Sequence, residues 1–502
     1  MLFNSIDFLI FFPIVLLVYF VLPAKIRYIW LLISSYYFYM CWNPVYIILI
    51  IISTVITYLC GRIVGCIKEK KEIEAIRQKH LMTGVMAVSF IVNLGLLVYF
   101  KYTNFLVDTV NVFLKTMSIS PVQGYDILLP VGISFYTFQA LGYTIDVYRG
   151  NIAAEKNFLK YALFVSFFPQ LVAGPIERSK NLLKQINDEP SHKLWNYQRV
   201  TFGFMTMLWG FFLKVVIADR AAVLVNNVFS NYENYQMTAL TIGAIAFAIQ
   251  IYCDFAGYST IAIGAAKVLG FELMENFDTP YFACSVVDFW RRWHISLSTW
   301  FRDYLYIPLG GSRCSKGKKY RNILIVFGVS GLWHGANWTY VVWGLLHGIY
   351  QILEKEIQPI IDRINRRCKT KIESFGYKLF CAIVTFVLVD IAWIFFRADS
   401  LSQAFHYIER MICYRDWWSL FDQSIYTLGL SVQEMHILAI SLLALFAVDL
   451  LKYKKKQTFA VFMERQWIVF RWGVLLVLLF VCIVLGYYGP GFDSAQFIYF
   501  QF

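Results

Sequence analysis

The chain has 502 residues, of which 59% are hydrophobic, 19% aromatic and only 15% charged, with a mean hydropathy of +0.57. Soluble globular proteins carry about 25% charged and 45–50% apolar residues, so disorder, a disulfide-stapled secreted module and an ordinary cytosolic enzyme are excluded. The net charge of +13 fits the basic cytoplasmic loops of a membrane protein, not a nucleic-acid surface, because the positive residues segregate between apolar runs.

Those runs are long and uninterrupted, whereas barrel strands alternate in polarity, so an outer-membrane barrel is excluded as well. In chain order they cover 6–23, 28–40, 44–60, 81–101, 127–147, 200–217 and 238–266. A glycine-interrupted pair at 322–333 and 337–353 follows, and then 376–396, 434–451 and 467–487. The expectation is an all-α polytopic membrane protein with about twelve transmembrane helices. The first run has no basic residue before it, carries Asp7 and lacks a small-residue cleavage pattern, so it reads as a retained span.

Lys and Arg concentrate in 61–80, 312–321, 355–378 and 452–456, and are nearly absent from 102–126, 219–237 and 488–502. Alternating those sides through the spans puts both termini outside the cell. Residues 158–175 and 285–309 are too polar or too short to span. They read as re-entrant or interfacial helices on the cytoplasmic side, which protein must cover or a wet cavity must line. No internal repeat or inserted soluble domain is visible, which speaks against a transporter built from repeats. The ten cysteines include no CxxC pair, so neither a zinc site nor a disulfide framework is indicated.

Seven histidines are candidates for chemistry. His80, His192, His406 and His436 sit in loops or at span ends and read as solvated. His334 lies in Val-Ser-Gly-Leu-Trp-His-Gly-Ala-Asn-Trp-Thr, at the break between two half-length apolar runs flanked by basic loops. That position is deep in the membrane, where an ionisable group marks a functional site facing the protein interior. Its apolar setting disfavours the imidazolium, so a neutral ring able to accept a proton is expected. Gly331 and Gly335 allow the close approach and unusual dihedrals that such a break needs. His294 follows Phe-Trp-Arg-Arg-Trp; on a helix it shares a face with Trp290 and Trp293 while Arg291 and Arg292 point elsewhere. His347, in Gly-Leu-Leu-His-Gly, reads foremost as a packing residue. Asp254, in an apolar run, is expected to pair with an arginine or to orient a histidine. Walker A, dinucleotide-fingerprint, HExxH and GxSxG segments are missing from the sequence.

With those residues in view, the chain resembles the membrane-bound O-acyltransferase family, in the bacterial branch that includes alginate O-acetylation and teichoic-acid D-alanylation enzymes. The resemblance rests on Met-Leu-Phe-Asn-Ser at the start, Phe-Phe-Pro-Gln-Leu-Val-Ala-Gly-Pro-Ile at 167–176, Asp254 to Gly257, Asp288 to Ser298, Tyr304 to Gly311 and Trp333 to Asn337. It implies one integral-membrane domain over 1–502, a core at about 127–353, and a ring of helices with a thinned centre. It implies that His334 is the catalytic histidine and His294 the second active-site position. The ending Phe-Ile-Tyr-Phe-Gln-Phe resembles a terminal tyrosine motif thought to carry the acyl group, which makes Tyr499 a relay in an extracytoplasmic tail, 488–502; its bland role is an interfacial anchor.

The implied activity is transfer of an acyl group, acetyl foremost, from a cytosolic thioester for O-acetylation of an exported or cell-wall polysaccharide. The donor is expected to be acetyl-CoA or an acyl-carrier thioester, with no permanently bound cofactor and no metal. The expected surroundings are membrane lipid in the bacterial cytoplasmic membrane, an extracytoplasmic SGNH-type acyltransferase partner and a polysaccharide acceptor reached directly or through it, with no nucleic acid. D-alanyl transfer to teichoic acid, another polymer acceptor such as peptidoglycan, and a non-enzymatic transporter or flippase are the alternatives. The transporter predicts charged residues spread over several spans, whereas the polar candidates here concentrate in 288–337.

Overall fold

A computed structural model describes residues 1–70, 74–125, 127–172, 174–189 and 194–488. Among the described residues there are helices and no strands. Each apolar run expected to span contains a helix, the one at 127–147 only from Ile133 onward, and among the described residues seven helical segments are long and apolar enough to cross a membrane by length and composition alone. The run expected at 81–101 belongs to one 42-residue rod, Ala75–Thr116. At 1.5 Å per residue that rod is about 60 Å long, roughly twice a hydrocarbon core, so part of it extends past the apolar layer.

The described chain divides into two compact units, Met1–Phe204 with Ala262–Met274, and Met205–Ile261 with Glu275–Phe502. The first contains α1 (Ile6–Val21), α2 (Ala24–Met40), α3 (Ile47–Glu69), α4 (Ala75–Leu97), α5 (Thr103–Thr116), α6 (Ile133–Arg149), α7 (Phe158–Ser166), α8 (Phe168–Leu171) and α9 (Ser179–Asp188). Every residue of α6 from Ile133 to Val147 is buried. The segment expected to be re-entrant forms α7 and α8, with Tyr161 to Leu171 wholly covered by protein. Its broken backbone is satisfied from within: the Gln139 and Gln170 amides both donate to the Phe164 carbonyl, at 2.5 and 2.9 Å.

The helix α10 (Tyr197–Phe211) leads into the second unit and loosens into a π-helical stretch, Phe212–Ala218, before α11 (Asp219–Ser230). Beside this stretch runs the 33-residue α12 (Met237–Leu269). The two backbones nearly touch at Gly257, where a Cβ would lie 2.9 Å from the Gly210 carbonyl oxygen and 3.0 Å from the Lys214 nitrogen. That approach brings Lys214 within 2.6 Å of both Asp254 on α12 and Asp219 at the start of α11, and all three side chains are at most 3% exposed. Asp254, expected to meet an arginine or a histidine, is therefore bonded to a lysine forty residues earlier. A π-helix widens the turn by one residue per ring, and here it lets Lys214 and Asp219 converge although they are five apart in sequence.

The rest of the second unit comprises α13 (Val286–Arg292), α14 (Ile295–Phe301), α15 (Lys316–His334), α16 (Trp338–Arg367), α17 (Phe375–Arg397), α18 (Leu401–Cys413), α19 (Val432–Lys455), α20 (Phe459–Glu464) and α21 (Ile468–Leu485). The chain end of α21 returns to the π-helix: Tyr487 donates from its backbone to the Val215 carbonyl at 2.9 Å, and Arg220 to the Leu485 carbonyl at 2.6 Å.

Removing the cation from the buried cluster leaves two carboxylates facing each other without their shared partner. Lys214→Met is expected to destabilise the protein by about 3–5 kcal/mol, read as a lowered thermal midpoint in detergent. The triple variant Lys214→Met/Asp219→Asn/Asp254→Asn, which removes all the formal charges, is expected to recover most of that loss.

Candidate active site

The peptide carrying His294 is not one helix. The α13 helix begins under the Ser285 hydroxyl, which accepts from the Asp288 nitrogen at 3.0 Å, while the Glu354 carboxylate of α16 accepts from the Val286 and Val287 nitrogens at 2.9 and 3.3 Å. A carboxylate there answers both the unpaired N–H groups and the positive end of the helix dipole. The helix stops at Arg292, Trp293 is extended, and His294 takes the left-handed conformation (φ 43°, ψ 55°) before α14 begins. The expected shared face of Trp290, Trp293 and His294 therefore does not form. The break turns His294 inward, where it is fully buried.

A left-handed, non-glycine residue carries roughly 1–2 kcal/mol of strain, so the surroundings must hold it. Asn276 does so from inside the fold, with 1% of its surface exposed. Its carbonyl accepts from the Ile295 nitrogen at 3.0 Å, its Oδ1 from the Ser296 nitrogen at 3.3 Å, and its Nδ2 donates to the Ser259 hydroxyl on α12 at 3.0 Å. Asn276 carries no motif signal, and the sequence reading missed it; its role depends on a contact with a strained turn eighteen residues away.

His334 is the last residue of α15 and is 4% exposed. Three residues connect α15 to α16, the two run antiparallel, and Asn337 caps the second by accepting from the Thr339 nitrogen at 3.1 Å. Gly331 faces the Tyr340 carbonyl so closely that a Cβ would collide with it. Gly335 is extended (φ −157°), so close packing explains the glycines here and an unusual dihedral does not. Both helices are full length, 19 and 30 residues; only their apolar portions are short, because basic and polar residues occupy their outer ends.

The two turns bring His294 and His334 together, with ring centroids 6.3 Å apart. At that separation the imidazoles cannot hydrogen-bond to each other directly, yet one reacting group has both within reach. Around them stand Phe255, 4.6 Å from His294, Trp333, 4.9 Å from His334, Trp343 at 5.0 Å and Phe396 at 5.5 Å. All four contacts are edge-to-face, so the rings wedge the imidazoles in place and exclude water. Trp343 and Phe396 were also missed, because aromatic residues in apolar helices carry no spacing that separates a site wall from ordinary packing.

His347 lies one turn beyond Trp343, 5.2 Å from it and fully buried, stacked on Phe289. It is a wall of this aromatic box, in keeping with its packing role. His80, His406 and His436 are exposed. His192 and Tyr499 lie outside the described residues. Among the described residues, no three His, Cys, Asp or Glu side chains group so as to hold a metal ion. The arrangement is thus a pair of imidazoles in a dry box, suited to moving a proton and steadying developing charge.

Asn276→Ala removes the two side-chain hydrogen bonds, worth together about 1–3 kcal/mol, and frees the turn that aims His294. The expected result is a fall in the rate constant of turnover by roughly ten- to a hundredfold, with KM for the donor little changed. Steady-state kinetics on purified membranes checks the split.

The sequence profile of the membrane-bound O-acyltransferase family matches residues 152–391, which contain both histidines and Asn276. The chain is 40% identical to a Pseudomonas aeruginosa protein named "Probable alginate O-acetylase AlgI", over 83% of this chain and 76% of that one. It is 34% identical to a peptidoglycan O-acetyltransferase of Helicobacter pylori, over 82% and 80% of the two chains. It is 28% identical to a teichoic acid D-alanyltransferase of Streptococcus thermophilus, over 53% and 68%. This many-helix membrane chain belongs to the membrane-bound O-acyltransferase family and is an acyltransferase.

Proposed function

We propose that the protein takes an acetyl group from a cytosolic thioester, acetyl-CoA, and passes it outward for O-acetylation of an exported or cell-wall polysaccharide at the bacterial cytoplasmic membrane. The observation that carries this reading is the pair of buried imidazoles, 6.3 Å apart, drawn from two breaks in the helical backbone. Support for acetyl over D-alanyl comes from coverage: the relatives named for O-acetylation align over 82–83% of the chain, those named for D-alanylation over 45–53%.

In this reading His334 accepts the proton of an attacking hydroxyl while its oxygen bonds to the thioester carbonyl carbon. His294 donates a hydrogen bond to the oxyanion that develops there. The carbon–sulfur bond then breaks, and the thiolate leaves with the proton that His334 had taken, so the imidazole ends neutral. General-base assistance of this kind is worth about 10²–10⁴-fold. The basic segments at 312–321 and 355–378, which include the outer ends of α15 and α16, attract the phosphates of the donor. The first hydroxyl is that of Tyr499, and an extracytoplasmic SGNH-type acyltransferase partner moves the acetyl group from it to the sugar.

His334→Ala is expected to lower acetyl transfer from labelled acetyl-CoA in proteoliposomes by at least about a hundredfold, with membrane insertion and yield unchanged. Retained transfer removes the assignment of the base. Tyr499→Phe keeps the aromatic anchor and deletes only the hydroxyl. It is expected to abolish polymer acetylation in cells, and unchanged acetylation eliminates the relay.

A further inference from the structure

The second unit holds a cavity that acyl transfer leaves unused. It is a half-open cavity of about 230 Å³ where the first turn of α12 meets the loop between α18 and α19, with Asn234, Gln236, Asp416, Ser419 and Ser424 among its walls. Ile242 and Leu428 form an apolar part of the lining.

The walls are set in advance. Asp416 is 7% exposed and staples the loop to α12: its Oδ1 accepts from the Thr238 nitrogen at 2.7 Å, and its Oδ2 from the Ser419 hydroxyl at 3.0 Å. The Met237 nitrogen adds a bond to the Tyr414 carbonyl at 3.0 Å. Asp422 fixes the next turn by accepting from the Ser424 nitrogen at 2.9 Å. A preformed pocket binds without the entropy loss of ordering its own loops. By contrast, the side-chain amides of Asn234 and Gln236 make no hydrogen bond among the described residues and remain open to a ligand.

The chemistry of the walls selects the class of ligand. The two amides offer donors and acceptors side by side, as vicinal hydroxyls require, while the Ser419 and Ser424 hydroxyls, whose protons go to Asp416 and Asp422, add acceptors. No cation lines the cavity among the described residues, which disfavours phosphate. The volume is below the roughly 300–1,000 Å³ of pockets for larger ligands, which leaves room for a single ring. Trp417 and Trp418, on the turn that carries Asp416 and Ser419, are 59% and 54% exposed and present flat apolar faces beside it.

Orientation adds a further argument. The α12 and α19 helices both leave this end and finish in basic turns, at Lys267 and at Lys452, Lys454 and Lys455. Basic ends face the cytoplasm, so the cavity opens on the opposite side.

From these observations we infer that the cavity is a saccharide subsite, seating one pyranose residue of the exported polymer while its neighbours run over the exposed tryptophans. The inference rests on the polysaccharide reading of the acceptor and extends it to a place on the chain. It brings the polymer to the face where the acetyl group emerges.

The test uses the purified full chain in nanodiscs, titrated with two neutral oligosaccharides, a mannose hexamer and an N-acetylglucosamine tetramer, by calorimetry and tryptophan fluorescence. At least one of the two is expected to bind. Asn234→Ala/Gln236→Ala, and separately the cavity-filling Ala239→Phe, on the first turn of α12 in the same lining, are expected to weaken that binding by at least about tenfold, with thermal midpoint and acetyl-CoA consumption unchanged. Absence of binding by both oligosaccharides, or binding that survives both variants, overturns the inference. Variants that lose a bound extracytoplasmic protein while keeping sugar affinity overturn it too. A failure of the acyl-transfer reading registers elsewhere, as donor consumption that persists in His334→Ala with sugar binding intact.

Discussion

Backbone that stops being helical inside a membrane protein must find its hydrogen-bond partners within the chain, because lipid offers none. The rest of this architecture depends on that constraint. Where α7 ends, two glutamine amides close on the Phe164 carbonyl. Where α13 gives way to α14, Asn276 takes up two backbone nitrogens, and where α15 turns into α16, the Asn337 side chain caps the new helix. Each break is stabilised by a short amide side chain at the right depth. The two breaks in the second unit are also where His294 and His334 sit.

The α12 helix joins the buried charges to the site. Asp254 faces Lys214, Phe255 packs its edge against the His294 ring, and Ser259 holds the Asn276 amide. Phe255 and Ser259 are four residues apart and so share a face, while Asp254 points to the neighbouring one. The ion cluster sets the position of α12 against the π-helix, and α12 in turn sets the ring and the amide that aim His294. Taking three charges out of water carries a penalty that their mutual attraction only partly offsets. What the cluster supplies is a geometric lock: few other arrangements of these segments satisfy one ammonium and two carboxylates at once.

The aromatic box has an electrostatic consequence. Rings exclude water from the two imidazoles, so a hydrogen bond to a developing oxyanion acts in a medium of low dielectric, where it is stronger than at a wet surface. The same rings restrict the imidazoles' rotation, so little reorganisation is left for the moment of reaction. An aromatic wall is also compatible with lipid outside it, which lets a proton-transfer site exist in a chain of such high hydropathy.

Much was legible in the amino-acid sequence: the helical class, the apolar runs, the basic segments and an ionisable group, His334, at a break between apolar runs, whereas His294 stood out as a site residue only through the family resemblance. These follow from short-range rules, in which hydropathy over about twenty residues decides a span and an ionisable group in an apolar run marks a site. The tertiary structure alone decided the rest. It broke the 285–309 segment at His294, paired Asp254 with Lys214, and recruited Asn276, Trp343 and Phe396. The physical reason is range: a left-handed turn, a buried ion cluster and an aromatic box each depend on partners brought close by helix packing, and no local pattern encodes which residues those will be.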